Sequence, residues 1–202
     1  MQILHLDCSP LGDHSETRKL SRTIVEKFKR AHPDAGVVYR DLAVNPPSFV
    51  SAAWILGAFG LPGSDSAEAK AAIAESDMLV DELLAADVIV IGAPMYNLSI
   101  PAVLKAWIDQ IVRPMRTFIP PPPAYKPLAV GKRAIFAIAA GGGGYDEGGP
   151  RQQFNHEDPY LRSIFAFIGI EDVQFVHFYN TVNERREQGE RSAQQSVKDL
   201  VV

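Results

Sequence analysis

Cysteine is nearly absent. The 202-residue chain has one, Cys8, so it can build neither an internal disulfide framework nor a cysteine metal centre. A reducing, cytoplasmic compartment fits that usage. No apolar run approaches the ~20 residues that span a bilayer. The opening MQILHLDCSP lacks a basic start and a long apolar stretch, so a strand of the fold is expected there, not a signal peptide. Basic residues form no stripe and no polybasic segment, and the net charge is -4. Neither nucleic acid nor an anionic membrane is therefore an expected partner. Two nucleotide fingerprints are missing as well. GxGxxG fails because the first loop has only Gly12, and GxxxxGK[ST] does not occur. A thiolate phosphatase of this topology would want arginine six residues after its cysteine, where this chain has His14. No neighbouring cation in the sequence favours a Cys8 thiolate, so Cys8 reads as a small buried residue. No metal centre and no internal repeat is expected.

What is present is ordinary for a globular protein: 47% hydrophobic and 22% charged residues. That excludes bulk disorder and supports one domain over residues 1–202. Residues 2–7 alternate apolar and polar and predict a strand containing a structural His5. Leu20, Ile24, Val25 and Phe28 share one face of a helix over 16–32, with Ser15 as its N-cap. Further strands are predicted at 37–42, 88–92, 133–139 and 172–179, and further helices at 67–86, 100–112, 158–168 and from about 182. The β-branched run VIVIG marks a central parallel strand covered on both faces. Residues 43–66 read as a long connection whose aromatics pack against a neighbouring subunit or over a site. Residues 114–130, with six prolines, read as a stiff extended excursion. The alternation gives an α/β fold: a flavodoxin-like, doubly wound, five-stranded parallel sheet of order 2-1-3-4-5. Such sheets bind ligands beyond the strand C-termini.

Three loops meet there. Residues 8–17, CSPLGDHSET, offer Ser9, Ser15 and Thr17 hydroxyls beside the free N–H groups of a helix start, which reads either as an anion site or as a plain capped helix. Asp41, ending the second strand, reads as structural without the dinucleotide glycines. In the second loop, Asn97 carries a donor and an acceptor suited to a pyrimidine-type edge, and Tyr96 can lie against a ring face. The third loop, Gly141 to Gly144 before Tyr145, lets bare backbone approach a planar ligand or is simply flexible. Together the loops specify a phosphate at one end and an uncharged heterocycle at the other. FMN fits that better than ATP or NAD. The Lys105, Asp109 and Arg113 spacing predicts i,i+4 pairs on a solvated helix face, and NERREQGER reads as surface.

The stretches SPLGDHSETRKL, VIVIGAPMYNLSIPAVLKAWIDQIVR, RTF, GGGGY and PYLRSIFAFIGIEDVQFV resemble the FMN-dependent NADH-azoreductases, within the flavodoxin-like NAD(P)H:quinone oxidoreductases. The resemblance covers most of the chain. It implies a homodimer with one FMN per subunit near the interface. It assigns the phosphate to Ser9, Ser15, Glu16 (through backbone) and Thr17. It assigns the isoalloxazine to Pro94, Met95, Tyr96, Asn97 and Leu98, with Ala140, Gly141, Gly142 and Gly143 at the ring edge. The chain departs from the family's Ser-Arg-Gly-Gly stretch, because Ala140 and Gly141 lack the hydroxyl and the guanidinium. Substrate-pocket aromatics map to Phe118 and, from the second subunit, to Trp54 and Phe59.

The implied reaction is a ping-pong relay of hydride from NADH or NADPH through the flavin to quinones or azo compounds. Gly142 and Gly143 N–H groups would stabilise charge on the reduced ring. Tyr145 and His156 are the candidate proton donors or acceptor-positioning groups. The alternative is a flavodoxin-like electron carrier without direct NADH turnover. Such carriers are typically more acidic than this chain, and segments 43–66 and 114–130 provide a roof that a carrier lacks.

Overall fold

The computed structural model describes residues 1–202. In chain order the elements are β1 (Gln2–Asp7), α1 (Glu16–Ala31), β2 (Gly36–Asp41), α2 (Ala52–Phe59), α3 (Ala67–Ala85), β3 (Val88–Pro94), α4 (Ala102–Ile111), β4 (Phe118–Ile119), β5 (Lys126–Pro127), β6 (Arg133–Ala139), α5 (Asp158–Ile168), β7 (Asp172–Phe178) and α6 (Arg186–Asp199). Five strands form one parallel sheet, ordered β2-β1-β3-β6-β7. That is the expected order 2-1-3-4-5, because β4 and β5 pair only with each other.

The continuous apolar strands are explained by two cores, one on each face. Ile3, Val88, Val90, Ile135 and Ala137 face α1 and α6, meeting Leu20, Ile24, Phe28, Ala193 and Val197. The intervening Leu4, Leu6, Ile89, Ile91, Phe136 and Ile138 face the other way, toward Leu79 and Leu83 of α3, Trp107 of α4 and Phe165 of α5. Period-two alternation therefore survives, but both faces are buried. Ser15, Ser51 and Ser66 cap α1, α2 and α3, each side chain accepting from the backbone N–H three residues on.

Three expectations need correction. Residues 43–66, read as a long connection, contain a helix. Ser51 starts α2, and Gly60, at φ 61°, ends it in the left-handed conformation that glycine adopts without strain. Trp54 is buried against its own chain, where its Nε1 donates to Gln110 Oε1 at 2.7 Å. Gln110 Nε2 in turn donates to the Ser48 carbonyl at 2.7 Å, so the segment is tied onto α4. The proline-rich excursion folds back as the β4–β5 hairpin, where Phe118 packs on Phe167 with ring centroids 5.0 Å apart. A third correction concerns Arg113. Lys105 and Asp109 pair on the surface of α4, but Arg113 is buried and turns inward to Ser76 and Asp77.

Candidate functional site

The loops leaving β1, β3 and β6 enclose a hollow of about 280 Å³. Ser9, Ser15, Glu16, Thr17, Pro94, Met95, Tyr96, Ala140 and Gly141, all expected at the site, line it. Its polar end is the start of α1. The Ser9, Ser15 and Thr17 side chains are buried there, with the Ser15 and Thr17 hydroxyl oxygens 3.0 Å apart. The first N–H groups of a helix have no intrahelical partner, and its dipole favours an anion.

Two arginines shape this end, and sequence reading found neither. Arg18 is buried. It donates from Nε and Nη2 to the Ser9 carbonyl at 2.9 and 2.6 Å, and it is ion-paired with Asp41 at 2.6 Å. It therefore fixes the loop and is not free to meet a ligand. The hydrogen-bonded Arg18 guanidinium holds Asp41 below the usual carboxylate range, which bears out the structural reading of that residue. Arg186 lines the hollow, pairs with Glu16 at 2.8 Å and donates to the Thr181 carbonyl at 2.8 Å. The Glu16 carboxylate is thus occupied, and only its backbone N–H remains for an anion. Arg186 comes from the run read as surface, and nothing local in NERREQGER marks it.

At the other end, the Met95 N–H donates to the Ala139 carbonyl at 2.9 Å, joining the second and third loops. Tyr96 and Ser99 exchange backbone hydrogen bonds at 3.0 and 3.1 Å around Asn97 (φ 50°) and Leu98 (φ 71°). Asparagine tolerates that conformation, but leucine there costs about 1 kcal/mol. Strain at a ligand loop is a functional signal. Asn97 and Leu98 are not among the residues that line the hollow.

Gly142 and Gly143 also stand outside the hollow, and close packing requires glycine at Gly143 and leaves little room at Gly142. A Cβ on Gly143 would lie 2.6 Å from the Asn180 amide, and one on Gly142 would lie 3.0 Å from Arg151 Nη1 and 3.4 Å from the Tyr145 hydroxyl. The loop is zipped to the 180–183 turn by Asn180 N–H to the Gly142 carbonyl (2.9 Å) and Thr181 N–H to the Ala140 carbonyl (3.1 Å). That turn adds Thr181 and Val182 to the lining, which sequence reading also missed.

Of the candidate proton donors, Tyr145 packs edge-on against Tyr179, with centroids 5.6 Å apart. His156 is exposed, and its backbone N–H donates to the Leu98 carbonyl at 3.1 Å. Neither lines the hollow. Next to His156 in the chain sits an unanticipated group, Glu157. It is 0% exposed, and neither carboxyl oxygen has a hydrogen-bond partner. Burial, then the charge on Asp158, push it up to about 9. Burial likewise pushes the Cys8 thiol well up, so it stays a neutral core group. Of the pocket aromatics, Phe59 is exposed, Phe118 is half-buried on the hairpin and Trp54 is internal, so none of the three joins the hollow within one chain.

A larger hollow, about 730 Å³, lies elsewhere, against Met1, Asp87, Lys132 and Asp172 at the strand N-termini. Its cations are spent on structure: Lys132 donates to the Leu84 and Ala86 carbonyls and Arg133 pairs with Asp172. Doubly wound sheets bind at the opposite edge.

The five-stranded order, with an anion cradle and a planar seat at its C-terminal edge, defines a flavodoxin-like protein. A family described as Flavodoxin-like fold matches residues 1–201. The chain is 45% identical over 197 residues to FMN-dependent NADH:quinone oxidoreductase 2 of Trichormus variabilis, covering 98% of this chain and 93% of that protein. It is 43% identical over 201 residues to the FMN-dependent NADH:quinone oxidoreductase of Nostoc sp., covering 98% and 97%. A crystal structure of azoreductase from Bacillus anthracis superposes with a TM-score of 0.87 at 26% identity, covering 98% and 97%. The chain belongs to the FMN-dependent NADH:quinone oxidoreductase family within the flavodoxin-like fold.

Proposed function

We propose that this chain is an FMN-dependent oxidoreductase that takes hydride from NADH and reduces quinones and azo compounds. One observation carries the reading: a single hollow joins the buried Ser9, Ser15 and Thr17 hydroxyls and an α1 N-terminus to the backbone of Pro94–Tyr96 and Ala140–Gly141. The donor set fits FMN. Hydroxyls and N–H groups suit a phosphate, and the nearby carboxylates, Glu16 and Asp41, are each occupied by an arginine.

When bound, FMN supplies the redox ring. The chain supplies position. Ser9, Ser15, Thr17 and the Glu16 N–H hold the phosphate, with Arg18 fixing the Ser9 carbonyl behind them. Pro94, Met95, Ala140 and Gly141 present backbone to the ring, with Tyr96 at the mouth, and Asn97, Leu98, Gly142 and Gly143 shape the turns that carry them. Ala140 and Gly141 retain backbone contacts but offer no side-chain donor, so acceptor choice rests on the walls above the ring. Tyr145, beside Gly142, and His156, tied to Leu98, are our candidates for positioning the acceptor and supplying its proton.

At about 280 Å³ the hollow sits at the small end for a ligand site. A second subunit would complete it. Exposed Phe49, Phe59, Val44 and Met115 favour a homodimer, with Phe59 and Phe118 as pocket walls across the interface. No helix is long and apolar enough to cross a membrane. A cytoplasmic location is proposed on the lone, buried Cys8. Anaerobic addition of NADH to the FMN-loaded protein tests the function: flavin colour is lost, then returns with a quinone. Flavin that binds but ignores NADH supports the carrier reading instead.

A further inference from the structure

Beside the flavin hollow lies a second, of about 370 Å³, with polar walls: Arg151, Arg185, Asn180, Asn183 and the bare backbone of Gly143 and Gly144. The two hollows share one wall, the zipped pair of loops 140–144 and 180–183, where Asn183 Nδ2 also donates to the Gly141 carbonyl at 3.4 Å. The Arg151 guanidinium lies against this wall, 3.0 Å from where a Gly142 Cβ would stand.

Most of the chain's arginines are committed to carboxylates. Arg18, Arg40, Arg113, Arg116, Arg133 and Arg186 all pair with carboxylates. Arg151 and Arg185 are exposed, and no carboxylate or carbonyl of the chain engages either guanidinium. Arg185 also stands at the N-cap of α6, whose dipole adds to its charge. In a chain of net charge -4, two unpaired guanidinium forks on one hollow are a seat for a phosphate-type dianion.

We propose that this hollow seats the diphosphate of the dinucleotide donor, with Arg151 and Arg185 as its charge partners. The inference rests on the proposed function for the donor's identity. It gives NADH a second anchor one loop away from the ring seat, so the nicotinamide reaches over Gly141–Gly143 while the diphosphate stays on the far side. Glu184 lines the same hollow and opposes the arginines. The seat is therefore weak, which suits a donor that must leave before the acceptor enters.

The test compares NADH with N-benzyl-1,4-dihydronicotinamide, a donor without phosphate, on the FMN-loaded protein. Arg151→Gln and Arg185→Gln should each raise KM for NADH about tenfold, the low end for a charge-assisted hydrogen bond on an open surface. The kcat with NADH and all turnover with the benzyl donor should be unchanged. Glu184→Gln should lower KM for NADH by about twofold to threefold. Calorimetry gives an independent readout, in which ADP-ribose binding weakens in step with KM. Unchanged KM for NADH in the double arginine variant overturns the proposal. So does equal slowing of the benzyl donor, or ADP-ribose binding that ignores both substitutions. Inorganic pyrophosphate that binds without competing with NADH also overturns it, by making the hollow an anion site unrelated to the donor. A wild-type protein that oxidises neither donor refutes the function instead, and ADP-ribose calorimetry then decides the seat alone.

Discussion

Glu157 makes stability depend on pH in an unusual direction. The residue has no exposed surface, no partner for either oxygen, and a carboxyl pushed up to about 9 from 4.5, by burial first and by Asp158 second. Were it ionised, its charge would further disfavour the Cys8 thiolate and the Tyr179 phenolate, which burial already keeps neutral. The native state therefore keeps a proton that the unfolded chain releases above pH ~4.5. Stability from this group is fully present below that pH, falls as pH rises toward 9, and levels off above it. Each unit is about 1.4 kcal/mol, so the penalty is about 3 kcal/mol at pH 7. Between pH 5.5 and 8.5 the change is about 4 kcal/mol, a large share of the 5–15 kcal/mol that typically holds a domain folded. Glu157→Gln keeps shape and burial but cannot ionise. Urea unfolding of both proteins at pH 5.5, 7 and 8.5 should show the variant gaining on the wild type by about 1.4 kcal/mol per pH unit. Parallel curves for the two proteins would refute the reasoning. They would mean that Glu157 titrates alike in the native and unfolded states.

Other perturbations probe the site's supports. Arg18→Met strips the Ser9 carbonyl of its donor and leaves Asp41 and Asp7 without their cation; stability should fall by about 3 kcal/mol or more, and FMN titration should show at least tenfold weaker binding. Gly143→Ala drives a methyl into the Asn180 amide, so a loss of about 1–3 kcal/mol in denaturant melts is expected, and Asn180→Gly in the same chain should restore most of it. Trp54→Phe leaves Gln110 Oε1 buried without its donor, lowering stability by about 1–3 kcal/mol while flavin affinity in the same titration stays put.

The sheet was readable because its strands are short and mostly apolar, and most are followed by a helix with one apolar face. VIVIG marked a central strand, and RAIFAIA a further strand of the sheet. The three site loops followed from topology. The misses have physical causes. AAWILGAF is apolar at nearly every position, so α2 had no periodicity to show, and its legible signals were only its caps, Ser51 and Gly60. The hairpin escaped because prolines hid the pairing of Phe118 with Pro127. Arg186 looks like any residue of a charged helix until the 180–185 turn folds it onto α1 and Glu16. Arg113 sits at the expected spacing from Asp109, but it lies beyond the end of α4 and turns inward. Glu157 is written between His156 and Asp158 like surface, and only tertiary packing buries it.

The central claim is that the hollow between Ser9, Tyr96 and Gly141 holds FMN where NADH can reduce it. Anaerobic stopped-flow absorbance of the FMN-loaded protein mixed with NADH, then with a quinone, tests it most directly. The account predicts loss of the oxidised flavin band within a turnover and its return on adding the quinone. A protein that takes up no FMN, or whose bound flavin stays oxidised in excess NADH, would contradict it.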